Sequence, residues 1–166
     1  MENLWSPWRS KYIEGFKEEH TKTGCFLCDA ADSDVFNDNN LLVHRSDLSI
    51  VLMNRYPYNS GHLLIAPKQH IGDFTMLNDD LILDINMLIK CAVKILTLLY
   101  KPHGFNIGAN LGRAAGAGVP EHIHYHIVPR WNGDTNFMPV LGEIKVISES
   151  LEDARNRISE QFRIQG

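Results

Sequence analysis

Cysteine is scarce in this chain, with three in 166 residues. An odd, small number cannot make a disulfide framework and fits a reducing compartment. Long apolar runs are also missing. None approaches the roughly 20 residues that a membrane-spanning helix requires, so no membrane role is expected. The opening MENLWSPWRSKYIEGF holds no apolar signal core, which makes a cytoplasmic location the expectation. Neither charge sign dominates: 16 Lys and Arg stand against 20 Asp and Glu, for a net charge of −4. That balance excludes a broad basic surface for nucleic acid. It leaves open a small nucleotide, whose recognition needs only local donors. Internal repeats and low-complexity segments are absent too, and the length fits a single domain with a proper core.

What is present is patterned. The first 20 residues form an arm containing Trp5, Trp8, Tyr12 and Phe16, expected to drape over the core or a partner subunit. Residues 21–147 form the core. In it NLLVHRS, LSIVLMN, HLLIAPK and GFNIGANLG read as strands. A long helix over NDDLILDINMLIKCAVKILTLLYKPHG is capped by Asn78 or Asp79 and stopped by Pro102 and Gly104. Its apolar residues recur at helical spacing from Leu81 to Leu99. Residues 148–166 contain a shorter C-terminal helix. Strands around one long helix point to an α+β fold on an antiparallel sheet.

The segment VPEHIHYHIVPRW carries the densest chemistry. His122, His124 and His126 alternate with Ile123, Tyr125 and Ile127. This spacing predicts one strand with all three imidazoles on one face, closed by Pro129. At about 3.3 Å per residue, His122 and His126 stand roughly 13 Å apart along a strand. One ion with nitrogen ligands at about 2.0–2.1 Å cannot bridge them, so the three histidines are expected to divide their labour. Just before them, NLGRAAGAGVPEH is rich in glycine and alanine, which lets backbone N–H groups approach an anion. A histidine nitrogen can attack phosphorus, and a second can protonate the leaving group.

HIHYHIV and MNRYPYNSGHLLIAPKQHI resemble the histidine-triad (HIT) superfamily of nucleotide hydrolases and transferases. LWSPWRSKYI, NRYPYNSGHLL, FNIGANLGRAAGAGVPEHIHYHIVPRWNGDTNFMPV and KVISES are similar to its diadenosine-polyphosphate (Ap4A) phosphorylase branch. The resemblance implies a HIT-like fold, a homodimer with the sheet continued across its interface, and adenosine nucleotides as substrates. It makes His124 the nucleophile that takes a nucleoside monophosphate, His126 its helper at the leaving group, and His62 their support. Asn54 falls where relatives hold the ribose, and Asn110 where they contact phosphate or ribose. Gly116, Gly118 and Val119 complete the substrate loop. Hydrolases of the superfamily often carry glutamine or serine at the places of Gly118 and Val119, so backbone donors and spare room are expected here. Arg113 and Lys68 are candidates for added charge. The implied reaction converts Ap4A and phosphate into ADP and ATP. Water as acceptor, a phosphoramidase activity and a non-catalytic nucleotide-binding regulator are the alternatives.

Cys25 and Cys28 have the Cys-x-x-Cys spacing of half a zinc site. Two buried thiols or a redox pair would share that spacing. Zinc-bearing relatives take further ligands from the positions filled here by His70, in APKQH, and His122. The resemblance therefore implies a structural zinc on Cys25, Cys28, His70 and His122, and no organic cofactor.

Overall fold

The computed structural model describes residues 24–34, 40–134 and 149–165. The aromatic N-terminal arm, part of the loop before the first strand and the stretch 135–148, with most of KVISES, lie outside the described residues. In chain order the elements are α1 (Phe26–Ala31), β1 (Leu42–Arg45), β2 (Ser49–Met53), β3 (Leu63–Pro67), α2 (Asp79–Tyr100), β4 (Gly104–Ala109), β5 (Tyr125–Arg130) and α3 (Leu151–Gln165). The strands form one antiparallel sheet of five, in the order β1-β2-β3-β5-β4. An antiparallel sheet with the helices beside it makes the fold α+β, as the sequence pattern predicts.

Strand alternation sorts side chains to two faces. Val43, Val51, Met53, Leu63, Ile65 and Ile127 face α2 and α3, meeting Leu81, Ile85, Leu88, Ala92, Ile95 and Leu96 of the first and Ala154, Ile158 and Phe162 of the second. The opposite face is covered differently. Leu42, Ile50, Leu52, Leu64 and Ala66 lie beneath Leu27, Ala30 and Cys25 of the short α1 segment. A helix of six residues covers β1–β3 and, among the described residues, leaves the face of β5 and β4 uncovered. The catalytic candidates stand on this uncovered half.

Local chemistry sets the element ends. Asn78 Oδ1 accepts the Leu81 N–H at 2.9 Å, and Asp79 and Asp80 sit in the first turn of α2, where the helix dipole favours negative charge. Lys101 ends the helix in the left-handed region, with φ of 47°, just before Pro102.

Two strand expectations need correction. β5 begins at Tyr125, so His122 and His124 belong to the approach to the strand and only His126 to the strand itself. The Ile123 N–H pairs with the Ile71 carbonyl at 2.7 Å, outside the ladder, which turns the chain away from β3. Pro129 also lies inside β5, opposite Phe105, and does not close it. Pairing with β3 ends at Leu63–Ile127, and the Pro129 carbonyl is taken by the Asn59 side chain at 3.0 Å. The missing proline N–H thus falls on a side where no strand remains to receive it.

The turn that delivers His62 depends on Gly61. Its φ is 74°, and an added Cβ would lie 3.0 Å from Leu96 and 3.2 Å from Tyr100. Gly61→Ala should therefore destabilise the protein by about 1–3 kcal/mol. Equilibrium urea unfolding measures this; a midpoint unchanged from the parent protein would refute the constraint.

Candidate active site and metal centre

Backbone contacts, relayed through one imidazole pair, define the proton positions of the histidines. His62 is fully buried. Its Nδ1 accepts the Tyr58 N–H at 3.0 Å, while the Asn54 amide nitrogen lies beside the ring, 3.3 Å from Nδ1 and 3.4 Å from Nε2. The Tyr58 N–H can only donate, so the His62 proton sits on Nε2. That Nε2–H donates to His126 Nδ1 at 3.0 Å. His126 must then carry its own proton on Nε2. On the neighbouring residue the pattern is reversed: His124 Nδ1 lies 2.9 Å from the His122 carbonyl, which can only accept. His124 therefore keeps its lone pair on Nε2.

Burial keeps both rings neutral. Desolvation, and then the nearby His124, push His126 down to about 4. Desolvation also lowers His124, although its bond to the His122 carbonyl opposes the shift. A nucleophile must be unprotonated, and a donor that is neutral at pH 7 keeps one N–H in a defined place. The ring centroids of His124 and His126 are 5.2 Å apart, which sets an electron-pair donor beside a proton donor.

The other expected contacts are distributed unevenly. Asn54 is buried, and its carbonyl accepts the Tyr56 N–H at 3.0 Å, so its amide braces the turn as well as His62. Asn110 donates to the Gly116 carbonyl at 3.4 Å and lines a cleft with His126. The Gly116 N–H is bound to the Arg113 carbonyl at 2.9 Å, so this donor is committed to the loop. Gly118 and Val119 have no backbone N–H partner among the described residues and remain the available donors. The Val119 side chain packs against the α1 cluster, which directs it away from the open face. Arg113 is well exposed and pairs with Glu121 at 3.4 Å. Lys68 donates to the Asp47 carbonyl at 3.0 Å, at the end of β3 opposite His62.

Sequence reading missed a cluster behind the His62 turn. Asp134 accepts from Arg130 Nε at 2.6 Å, Arg130 Nη2 at 2.9 Å and the Asn59 amide at 2.8 Å. The Asn59 carbonyl in turn accepts the His62 N–H at 3.2 Å. These residues sit in YNSG and RWNGD, whose composition announces only turns. The paired guanidinium, first, and the Trp131 N–H hold the Asp134 carboxyl well below the usual carboxylate range. His103, without an assigned role in the sequence, accepts the Asn132 N–H at 2.9 Å in the adjoining turn, and His44 stacks on Phe162 at 4.8 Å.

Cys25, Cys28, His70 and His122 converge at the α1 end of the sheet, with their ligand atoms all within 4.8 Å of one another. His122 Nδ1 lies 3.3 Å from Cys25 Sγ and 3.5 Å from Cys28 Sγ, and His70 Nδ1 lies 3.2 Å from Cys28 Sγ. A tetrahedral zinc with Zn–S of about 2.3 Å and Zn–N of about 2.0–2.1 Å has sulfur–nitrogen edges of roughly 3.5 Å. His122 Nε2 donates to the Pro67 carbonyl at 2.8 Å. This second contact fixes the tautomer that turns the Nδ1 lone pair toward the thiols. Desolvation and the adjacent Cys25 push the Cys28 thiol up to about 11, so a cation entering here would release protons. The residues present fit zinc.

Protein purified without chelator should carry about one zinc per chain, the stoichiometry of a four-ligand site. Cys25→Ser should lower the melting temperature by several degrees, because a structural metal contributes to folding. Metal analysis with a thermal melt checks both; a folded, metal-free native preparation that melts like the variant would contradict the assignment.

The geometry has counterparts in known proteins. An "AP-4-A phosphorylase" of Mycobacterium tuberculosis is 31% identical over 165 residues, which covers 98% of this chain and 85% of that protein. An "Adenosine 5'-monophosphoramidase" of Schizosaccharomyces pombe is 34% identical over 51% of this chain and 60% of its own length. Among solved structures, a zinc-bound histidine triad family protein from Mycobacterium smegmatis superposes with a TM-score of 0.67 at 20% identity, over 87% of this chain and 96% of that one. Residues 36–133 match the family model described as "HIT domain", a span that contains β1–β5 and the three alternating histidines. The chain belongs to the HIT family.

Proposed function

We propose that this chain is a nucleotidyl-transferring enzyme that cleaves dinucleoside polyphosphates through a nucleotide bonded to His124. The observation that carries the reading is the opposed pair of tautomers. His124 presents a lone pair at Nε2 because its Nδ1–H is bound to the His122 carbonyl. His126 presents an N–H at Nε2 because its Nδ1 is bound by His62. In the first step His124 Nε2 forms a bond to the α-phosphorus of the substrate. The phosphorus–oxygen bond to the polyphosphate breaks, and the His126 N–H supports the departing oxygen. In the second step phosphate attacks the same phosphorus and displaces His124. Diadenosine tetraphosphate thus leaves as ATP and ADP. The likeness to the mycobacterial phosphorylase over nearly the whole chain supports phosphate as acceptor. The Gly118 and Val119 N–H groups offer it a place to bind.

Zinc on Cys25, Cys28, His70 and His122 would supply structure and take no part in bond making. Its ligand His122 also provides the carbonyl that orients His124, so the knuckle holds the nucleophile in place. A homodimer fits the exposed edge. Among the described residues β4 ends the sheet, with Ile107 47% exposed on it, and an edge of this kind is completed by pairing with a second copy. Cys25, Cys28 and Cys91 form no disulfide among the described residues, which suits a cytoplasmic location. A second reading, cleavage of nucleoside phosphoramidates, draws on the likeness to the fission-yeast enzyme. The same His126 proton would then pass to an amine.

Isotopically labelled phosphate, incubated with diadenosine tetraphosphate, should appear in ADP. His124→Ala should lower turnover by at least about 10³-fold, the scale seen when a nucleophile is lost. Label remaining in free phosphate while AMP accumulates would identify water as acceptor. Near-native turnover by the alanine variant would overturn the covalent step.

A further inference from the structure

A cleft of about 400 Å³ opens on the uncovered half of the sheet, on a scale suited to a small-molecule ligand. His126 lines it and His124 does not, so it extends from the leaving-group side of the histidine pair. We propose that this cleft binds the second nucleoside of the substrate, the one that departs with the polyphosphate. The proposal rests on the reading that the substrate is a dinucleoside polyphosphate.

Direction comes from the strand register. Gly108 stands opposite His126 and Asn106 opposite Val128, and directly paired residues share a face. The cleft therefore runs along β4 and β5 from Asn110 and His126 toward Asn106 and Arg130. Asn110 and Asn106 are four residues apart, about 13 Å along a strand. The Gly118 and Val119 donors lie in the loop beyond the Asn110 end, where phosphates would bind.

Charge decides what the far end takes. Arg130 is the cation lining it, and both edges of its guanidinium are engaged, by Asp134 at 2.6 and 2.9 Å and by Asn106 Oδ1 at 2.6 Å. The pair is electrically neutral, so the far end suits a neutral nucleoside better than further phosphates. Tyr58 offers an aromatic face, its ring lying within 11° of parallel to that of His126 at 5.9 Å. Asn106 gives its carbonyl to Arg130, which leaves its NH₂ as a donor for a base or ribose. Gly108 keeps the floor clear: a Cβ there would meet nothing within 4 Å, and its φ is outside the left-handed region. A larger residue is therefore compatible with the fold but would fill the space a nucleoside needs. Because it would project from the face of the sheet, it leaves the edge of β4 free to pair.

The test compares two ligands that share one adenosine and the tetraphosphate; the second nucleoside of one is replaced in the other by an ionised terminal oxygen. In the non-turning-over His124→Ala protein, calorimetry should show diadenosine tetraphosphate binding about tenfold more tightly than adenosine tetraphosphate, a difference of ~1.4 kcal/mol. Adding Gly108→Phe should erase that preference, and Gly108→Ala should reduce it less. Asn106→Leu, a second variant that lines the cleft without adding bulk at position 108, should also weaken it. Equal affinities for the two ligands without a cleft substitution would overturn the proposal. A preference that survives both Gly108→Phe and Asn106→Leu would overturn it as well. Failure to bind either ligand would instead defeat the reading of the substrate itself, which separates the two claims.

Discussion

A neutral imidazole carries one proton on two nitrogens, and this site depends on which nitrogen holds it. Backbone groups make the choice at every histidine that matters. The Tyr58 N–H can only donate, and the His122 and Pro67 carbonyls can only accept. His62 then passes the first of these instructions to His126. Nothing in this chain of contacts relies on a charged partner. It consequently survives the burial that pushes His124 and His126 toward their neutral forms.

The fold serves those backbone groups. Gly61 packs under α2 and allows the turn that delivers His62 to the opposite face, and Asp134 braces the same turn from the end of β5 through Asn59. The candidate metal ligands brace the other end. His122 is held between Pro67 and the two thiols, and its carbonyl therefore has little freedom beside His124. The short α1 segment supplies the thiols and covers only β1–β3. One small element thus covers the side of the candidate metal centre and, among the described residues, leaves the β5–β4 side uncovered. Charge follows the same division, with loop N–H donors near the histidines and a neutralised Arg130 farther out.

Much of this was legible in the sequence because it rests on local patterns. The β-branched runs, the Asn78 cap and the Pro102 stop mark the strands and the long helix. The alternating histidines and Cys-x-x-Cys carry the chemistry in their spacing. Period alone misplaced the start of β5, since His122 and His124 alternate without belonging to the ladder. Ile71, far away in sequence, takes the Ile123 N–H and overrides the pattern. The place of Pro129 inside β5 depends likewise on a distant element, since pairing with β3 ends at Leu63–Ile127. The Asn59–Asp134–Arg130 cluster joins residues up to 75 positions apart, and turn composition gives no sign of such a contact. The loop glycines looked equivalent, yet the fold commits the Gly116 donor and leaves those of Gly118 and Val119.

The central claim is that backbone contacts fix opposed tautomers on His124 and His126. Long-range proton–nitrogen NMR spectra of the ligand-free, zinc-loaded protein at neutral pH report that directly. The proton should sit on Nδ1 of His124 and on Nε2 of both His126 and His62. His126 should remain neutral on acidification until near pH 4, because burial depresses its folded value to about 4. A proton on Nε2 of His124, or the same tautomer on both members of the pair, would contradict the account.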